Sequence, residues 1–290
     1  MGDQAELLRK KIKDQEINTE TRTIAVISGK GGVGKSNISL NFAITLANKG
    51  HSVLLFDMDI GMGNIDILLG LSSNYSIADF FTENPIALKD MITDIPGGIH
   101  YIAGGAGLSQ FPRINKESFY TFTEQFTKLI SDYDYVIFDM SAGLNETTLK
   151  FILSVDEVMV ITTPEPTSIT DAYSTMKFIT LENKEIPFYL IVNRSNNEKE
   201  GIATYHRMSK VIQQFLGKKV IFLGVLPEDP NIQKAVRQQT PFIQFNGKSP
   251  SARALNEMAE KFCQREFKQP QTYADKIHFV SRLKRFLFER

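Results

Sequence analysis

Residues 29–36 read GKGGVGKS. This satisfies G-x-x-x-x-G-K-[ST], between a short β-branched run and a segment long enough for a helix. Glycines at 29, 31, 32 and 34 let a backbone wrap a phosphate with its N–H groups inward, because no Cβ obstructs the approach. A helix starting near Lys35 adds the positive end of its dipole. Lys35 is expected to reach the β- and γ-phosphates, and the Ser36 hydroxyl to ligate Mg²⁺. The candidate nucleotide-phosphate contacts are Gly29, Lys30, Gly31, Gly32, Val33, Gly34, Lys35, Ser36 and Asn37. Two later apolar runs end in acids: FDMDIGMGNID (56–66) carries Asp57 and Asp59, and YVIFDMSAGL (135–144) carries Asp139. An apolar run ending in Asp after a phosphate loop is the expected second Mg²⁺ anchor. Asp57 also reads as an ordinary strand-end acid.

Those residues need a frame. Apolar runs occur at 23–28, 52–59, 98–104, 135–140, 157–163, 188–194 and 220–226. They are continuous rather than alternating, as strands covered on both faces are. Segments 35–49, 116–132, 145–154, 167–183 and 202–217 are long enough for helices between them. Strand–helix alternation of this kind predicts an α/β fold with a doubly wound, mostly parallel sheet, and ligands at the carboxyl ends of the strands. The predicted organisation is an arm at 1–22, one core domain at 23–268 and a terminal helix at 269–290.

Composition narrows the function classes. The chain has 290 residues, 42% of them apolar, enough for a sizeable core. Thirty-three bases balance 33 acids, so any nucleic-acid or membrane binding must come from a local patch. One cysteine, Cys263, excludes a disulfide framework or a four-cysteine cluster within one chain. No apolar run is long enough to cross a bilayer, and the charged N-terminus is no signal peptide, so the expected compartment is the cytoplasm. The clearest local patch is DKIHFVSRLKRFLFER (275–290). Ile277, Val280, Leu283 and Leu287 recur at helical spacing, beside Phe279 and Phe286, with five bases against two acids. An in-plane membrane helix needs this combination of apolar area and positive charge. The other reading is a last helix docked on the core.

The loop KGGVGKS, with a lysine at position 30, resembles the deviant phosphate loop of the ParA/MinD family. There the extra lysine crosses a dimer interface to the partner's nucleotide. The resemblance implies an ATP-dependent homodimer in which Lys30 and Lys35 serve catalysis, Asp59 orients the attacking water, and Asp57 and Asp139 lie beside Mg²⁺. TTPEPTSITDA (162–172) resembles the family segment whose acid, here Asp171, holds the signature lysine. IVNR (191–194) matches the strand ending beside the base, which makes Asn193 the candidate purine contact with Arg194 next to it. GVLPEDPNIQKAV (224–236) resembles the region covering the adenine, with Pro227 and Asp229 as contacts.

Several branches share this core. Iron–sulfur carriers need more cysteines, and partition ATPases use basic surfaces for DNA, which a neutral chain with a Phe-rich basic tail does not suggest. The tail is similar to that of the membrane-binding MinD-like branch. DQAELLR (3–9) further resembles the D-Q-A-x-x-L-R motif of the flagellar MinD-like family, FlhG (also written YlxH or FleN). The family's arm stimulates the flagellar signal-recognition-type GTPase FlhF, which implies that role for Asp3, Gln4, Ala5, Leu8 and Arg9. The implied function is a slow, dimer-dependent ATPase switch that regulates flagellar number and placement. The implied partners are FlhF, C-ring components and anionic lipid at the inner face of the cell membrane; DNA is not expected. A division-site or cargo-positioning MinD/ParA-like ATPase is the alternative.

Overall fold

The computed structural model describes residues 21–59, 63–82, 84–105, 116–264 and 279–288. Its centre is an eight-stranded sheet in the order β3-β4-β2-β5-β1-β6-β7-β8. β1 (Arg22–Ile27), β2 (Val53–Met58), β4 (Ile99–Ile102), β5 (Tyr135–Met140), β6 (Glu157–Thr162), β7 (Phe188–Ser195) and β8 (Val220–Pro227) run parallel. These are the seven runs expected from the sequence. β2, β5 and β6 are buried at every residue, which is why their side chains do not alternate in polarity. The short antiparallel edge strand β3 (Thr93–Ile95) is an addition.

Helices cover both faces. Alternate residues of β1 divide the core: Ala25 and Ile27 face one layer, Ile24 and Val26 the other. The second layer holds α1 (Lys35–Ala47), α2 (Asn64–Leu69), α8 (Pro230–Arg237), α9 (Phe242–Phe245) and α10 (Pro250–Gln264). The first holds α3 (Ile77–Phe80), α4 (Lys116–Ile130), α5 (Glu146–Ile152), α6 (Pro166–Glu182) and α7 (Glu198–Leu216). α7 begins four residues before the expected segment, because the Asn197 side chain caps it by accepting from the Glu200 amide.

The terminal helix α11 (Phe279–Phe288) lies on the first layer. Phe279 is buried among Phe126, Phe138 and Phe151, with ring centroids 5.5, 5.2 and 5.2 Å away. Leu283 is buried as well. Arg282 Nε donates to the Ser154 carbonyl at 2.7 Å, and its guanidinium pairs with Asp156. Of the residues expected to contact lipid, Phe279 and Leu283 lie here against the core, and Val280 packs at its margin. The expected lipid contact Ile277 and the side chains of Phe286 and Leu287 lie outside the described residues, as do Asp3, Gln4, Ala5, Leu8 and Arg9 of the arm. No helix among the described residues is long and apolar enough to cross a membrane.

Candidate functional site

The glycine loop joins central strand β1 to α1 at the carboxyl end of the sheet. Two of its glycines are demanded by what surrounds them. A Cβ on Gly29 would lie 2.1 Å from the Asp171 carbonyl carbon, so the loop can press against the α6 backbone only without a side chain. Gly34 caps α1 at φ 90°, and a Cβ there would lie 2.6 Å from Asn193 Nδ2. Asn193 Nδ2 donates to the Val33 carbonyl at 2.7 Å, so the end of β7 fastens the loop. Asn193 Oδ1 is buried and accepts from nothing in the described chain. It is an open acceptor beside the loop.

The three acids converge. Asp57 and Asp139 stand opposite each other on neighbouring strands β2 and β5, both fully buried. Asp139 Oδ1 accepts from Lys35 Nζ at 2.7 Å and Ser39 Oγ at 2.8 Å. Asp139 Oδ2 is buried without a partner among the described residues. Asp57 Oδ1 accepts from the Asp59 amide at 2.8 Å, and Oδ2 faces the Tyr101 hydroxyl at 3.5 Å. Burial first, and then the Asp139 charge, push the Asp57 carboxyl well above the usual range. Asp59 accepts from Asn64 Nδ2 at 2.7 Å, and burial raises its pKa too, against the pull of Lys35. Ser36 Oγ lies 3.5 Å from Lys35 Nζ. One ammonium thus faces three carboxylates, one oxygen of which is orphaned. The orphaned Asp139 oxygen and the nearby Ser36 hydroxyl are hard ligands that suit a cation of the Mg²⁺ type, while among the described residues the acids alone form no metal-holding group.

Other expected residues are placed differently. Lys30 Nζ meets Glu165 Oε2 and Thr167 Oγ1, each at 3.3 Å, at the start of α6. The expected holder was Asp171, which instead gives its backbone to the Gly29 contact one turn further on. Arg194 is exposed in the left-handed region at φ 55°, directly after Asn193. Asp229 caps α8 through the Asn231 amide at 2.9 Å and reaches the Ser251 amide at 3.2 Å. Burial alone would raise its pKa, but the bonds from Asn231, Ser251 and Ser249 outweigh it and hold the carboxyl low. Asp229 therefore ties α8 to α10, and the Ser251 hydroxyl bonds the Pro227 carbonyl at 3.2 Å in the same joint. Sequence reasoning missed Ser39, Asn64, Tyr101, Glu165 and Thr167. Ser39 had a signal, lying one helical turn after Lys35 on the same face. Tyr101 had none, since only strand pairing brings β4 beside β2.

A phosphate loop feeding a helix, with strand-end carboxylates around its lysine on a parallel sheet, defines a phosphate-loop nucleoside triphosphatase. Residues 19–263 match the ParA model, described as NUBPL iron-transfer P-loop NTPase. The chain belongs to the ParA/MinD family of P-loop NTPases. It is 31% identical over 240 residues to the antiactivator FleN of Pseudomonas aeruginosa, covering 83% of this chain and 85% of that one. It is 36% identical over 221 residues to the flagellum site-determining protein YlxH of Helicobacter pylori, covering 76% and 74%. The septum site-determining protein MinD of Pyrococcus horikoshii, solved with Mg-ADP, superposes with a TM-score of 0.67 at 25% identity, over 87% of this chain and all of that one. Cys263 sits at the opposite end of the sheet, 3.7 Å from His51 Nε2, and burial raises its thiol pKa. It offers nothing to the site.

Proposed function

We propose that this chain is an ATP-hydrolysing switch that regulates flagellar number and placement. The carrying observation is the Lys35–Asp139 pair with Asp57 and Asp59 against the glycine loop. The flagellar relatives at 31% and 36% identity support the branch. The Mg-ADP of the similar MinD supports the ligand.

Gly29, Lys30, Gly31, Gly32, Val33, Gly34, Lys35, Ser36 and Asn37 would hold the phosphates, with the α1 dipole behind them. Asn193 Oδ1 and Arg194 would meet the base; the support is that Asn193 Oδ1 is a buried acceptor with no partner among the described residues. Ser36 and Asp139, with Asp57 behind, would hold Mg²⁺, which supplies neutralisation of the phosphate oxygens. Asp59 accepts and orients a water. Its half-buried carboxylate is already steered by Asn64. Lys30 can change partners at little cost, being exposed and held, among the described residues, by Glu165 and Thr167 alone. Its move to a second subunit's phosphates would join two copies. Undocking of α11 would then present two basic, Phe-rich helices to anionic lipid, where two act by avidity. In this reading the arm, through Gln4, stimulates FlhF, and the dimer meets C-ring components.

The test of the branch is the GTPase rate of FlhF with and without a peptide of residues 1–22. Stimulation that disappears with Gln4→Ala supports the flagellar reading. An active FlhF left unstimulated returns the chain to a division-site or cargo-positioning role.

A further inference from the structure

Outside the site, the described surface carries a groove of about 680 Å³ along α4, lined by Glu117, Tyr120, Thr121, Glu124 and Thr127, with Val280 of the docked terminal helix as its far wall. Two acids and no base line it. Glu124 shares Lys128 at 2.9 Å, whereas Glu117 has no ion pair among the described residues. The groove's unpaired charge among the described residues is therefore that of Glu117, beside the apolar surface of Tyr120 and Val280.

The described chain begins near α4, at Thr21. Thr21 Oγ1 donates to the carbonyl of Ile130, the last residue of α4, at 2.8 Å. The chain before Thr21 therefore starts at the negative end of that helix's dipole, where cations are favoured. Residues 7–13 read LLRKKIK, four bases and no acid, with Leu8 and Ile12 one helical turn apart. The reach is sufficient. At 1.5 Å per residue along α4, Glu124 lies roughly 9 Å and Glu117 roughly 20 Å from Ile130. The stretch from Thr21 back to Lys13 extends to about 26 Å at ~3.3 Å per residue.

We propose that the arm's own basic segment, residues 7–13, docks in this groove, with Leu8 and Ile12 against Tyr120 and Val280 and its bases over Glu117 and Glu124. Because Val280 belongs to the terminal helix, the two ends of the chain share one wall, and holding one favours holding the other. If the arm also serves FlhF as proposed above, that partner must compete with the groove. The docking itself does not depend on that reading.

Disulfide trapping in the full chain tests it, in a Cys263→Ser background. Ile12→Cys is paired with Thr121→Cys in the groove or, as control, with Thr170→Cys at an exposed position of α6. The groove pair is expected to close within one chain at least about tenfold faster than the control, as a held segment raises local concentration. Adding Glu117→Lys and Glu124→Lys should remove that advantage. Equal rates for the two pairs, a bond formed between two chains, or indifference to the charge reversal each overturn the proposal. A second measurement leaves the groove untouched. Hydrogen exchange at 117–127 should quicken when Arg9→Gln, Lys10→Gln, Lys11→Gln and Lys13→Gln are introduced together, and unchanged exchange would equally contradict the docking.

Discussion

Among the described residues, Lys35 is the only cation paired with any of the three strand-end acids, at 2.7 Å from Asp139. Removing it does more than lose a phosphate contact: it leaves a fully buried carboxylate unpaired. Lys35→Ala should abolish ATP binding and also cost about 3–5 kcal/mol of stability. The double variant Lys35→Ala with Asp139→Asn should regain most of that stability and none of the binding. Calorimetric titration and denaturant unfolding separate the two effects. Glu157, at the other end of the sheet, gives a pH test. It pairs with Arg22 and accepts from Tyr189 at 3.2 Å, yet burial keeps its pKa raised. A raised folded-state pKa means that the folded chain holds the proton more tightly. Its stabilisation is complete below the ordinary Glu value, near 4.3, and is lost as pH rises through the folded value. The stability of the wild type relative to Glu157→Gln should therefore fall as pH climbs from about 4.3. A difference that stays flat between pH 4 and 7 would contradict this.

At the scale of elements, the described part of the terminal helix is held by an aromatic cluster, the Arg282–Ser154 hydrogen bond and the Arg282–Asp156 ion pair. Asp156 binds both Arg282 of α11 and the Thr23 hydroxyl, at 2.6 Å. Asp156→Asn should loosen the helix without altering its apolar face, raising the nucleotide-free fraction that sediments with anionic vesicles several-fold. Phe279→Ala, by contrast, removes a buried ring worth about 3–5 kcal/mol and an apolar contact for lipid at once. It should speed exchange in α11 without improving sedimentation. The helix shows how far sequence carries. Its periodicity and charge were legible, but not whether lipid or core takes its apolar face, since both want the same pattern. The seven parallel strands were legible because burial on both faces leaves unbroken apolar runs. β3, with three residues, and α3 and α9, with four each, are too short to show a period. In the site, loop and acids could be read because their spacing is fixed along the chain. The Lys30–Glu165 contact could not, because the angle at which α6 leaves β6 decides which acid the lysine meets.

For the whole molecule the claim is that nucleotide state sets assembly. Lys30 is exposed, the carboxylate cluster is built and buried, and the terminal helix is docked; in the proposed switch, each is a part that dimerisation would throw. Asp59→Ala keeps the loop, Lys35 and Asp139, and removes only the carboxylate proposed to steer a water. The most direct measurement is the mass of Asp59→Ala in solution by light scattering, with ATP and Mg²⁺ and then with ADP. The account predicts twice the chain mass of 32.7 kDa with ATP, the chain mass with ADP, and no phosphate release. A variant that stays monomeric with ATP bound, or hydrolyses ATP at the wild-type rate, would contradict it.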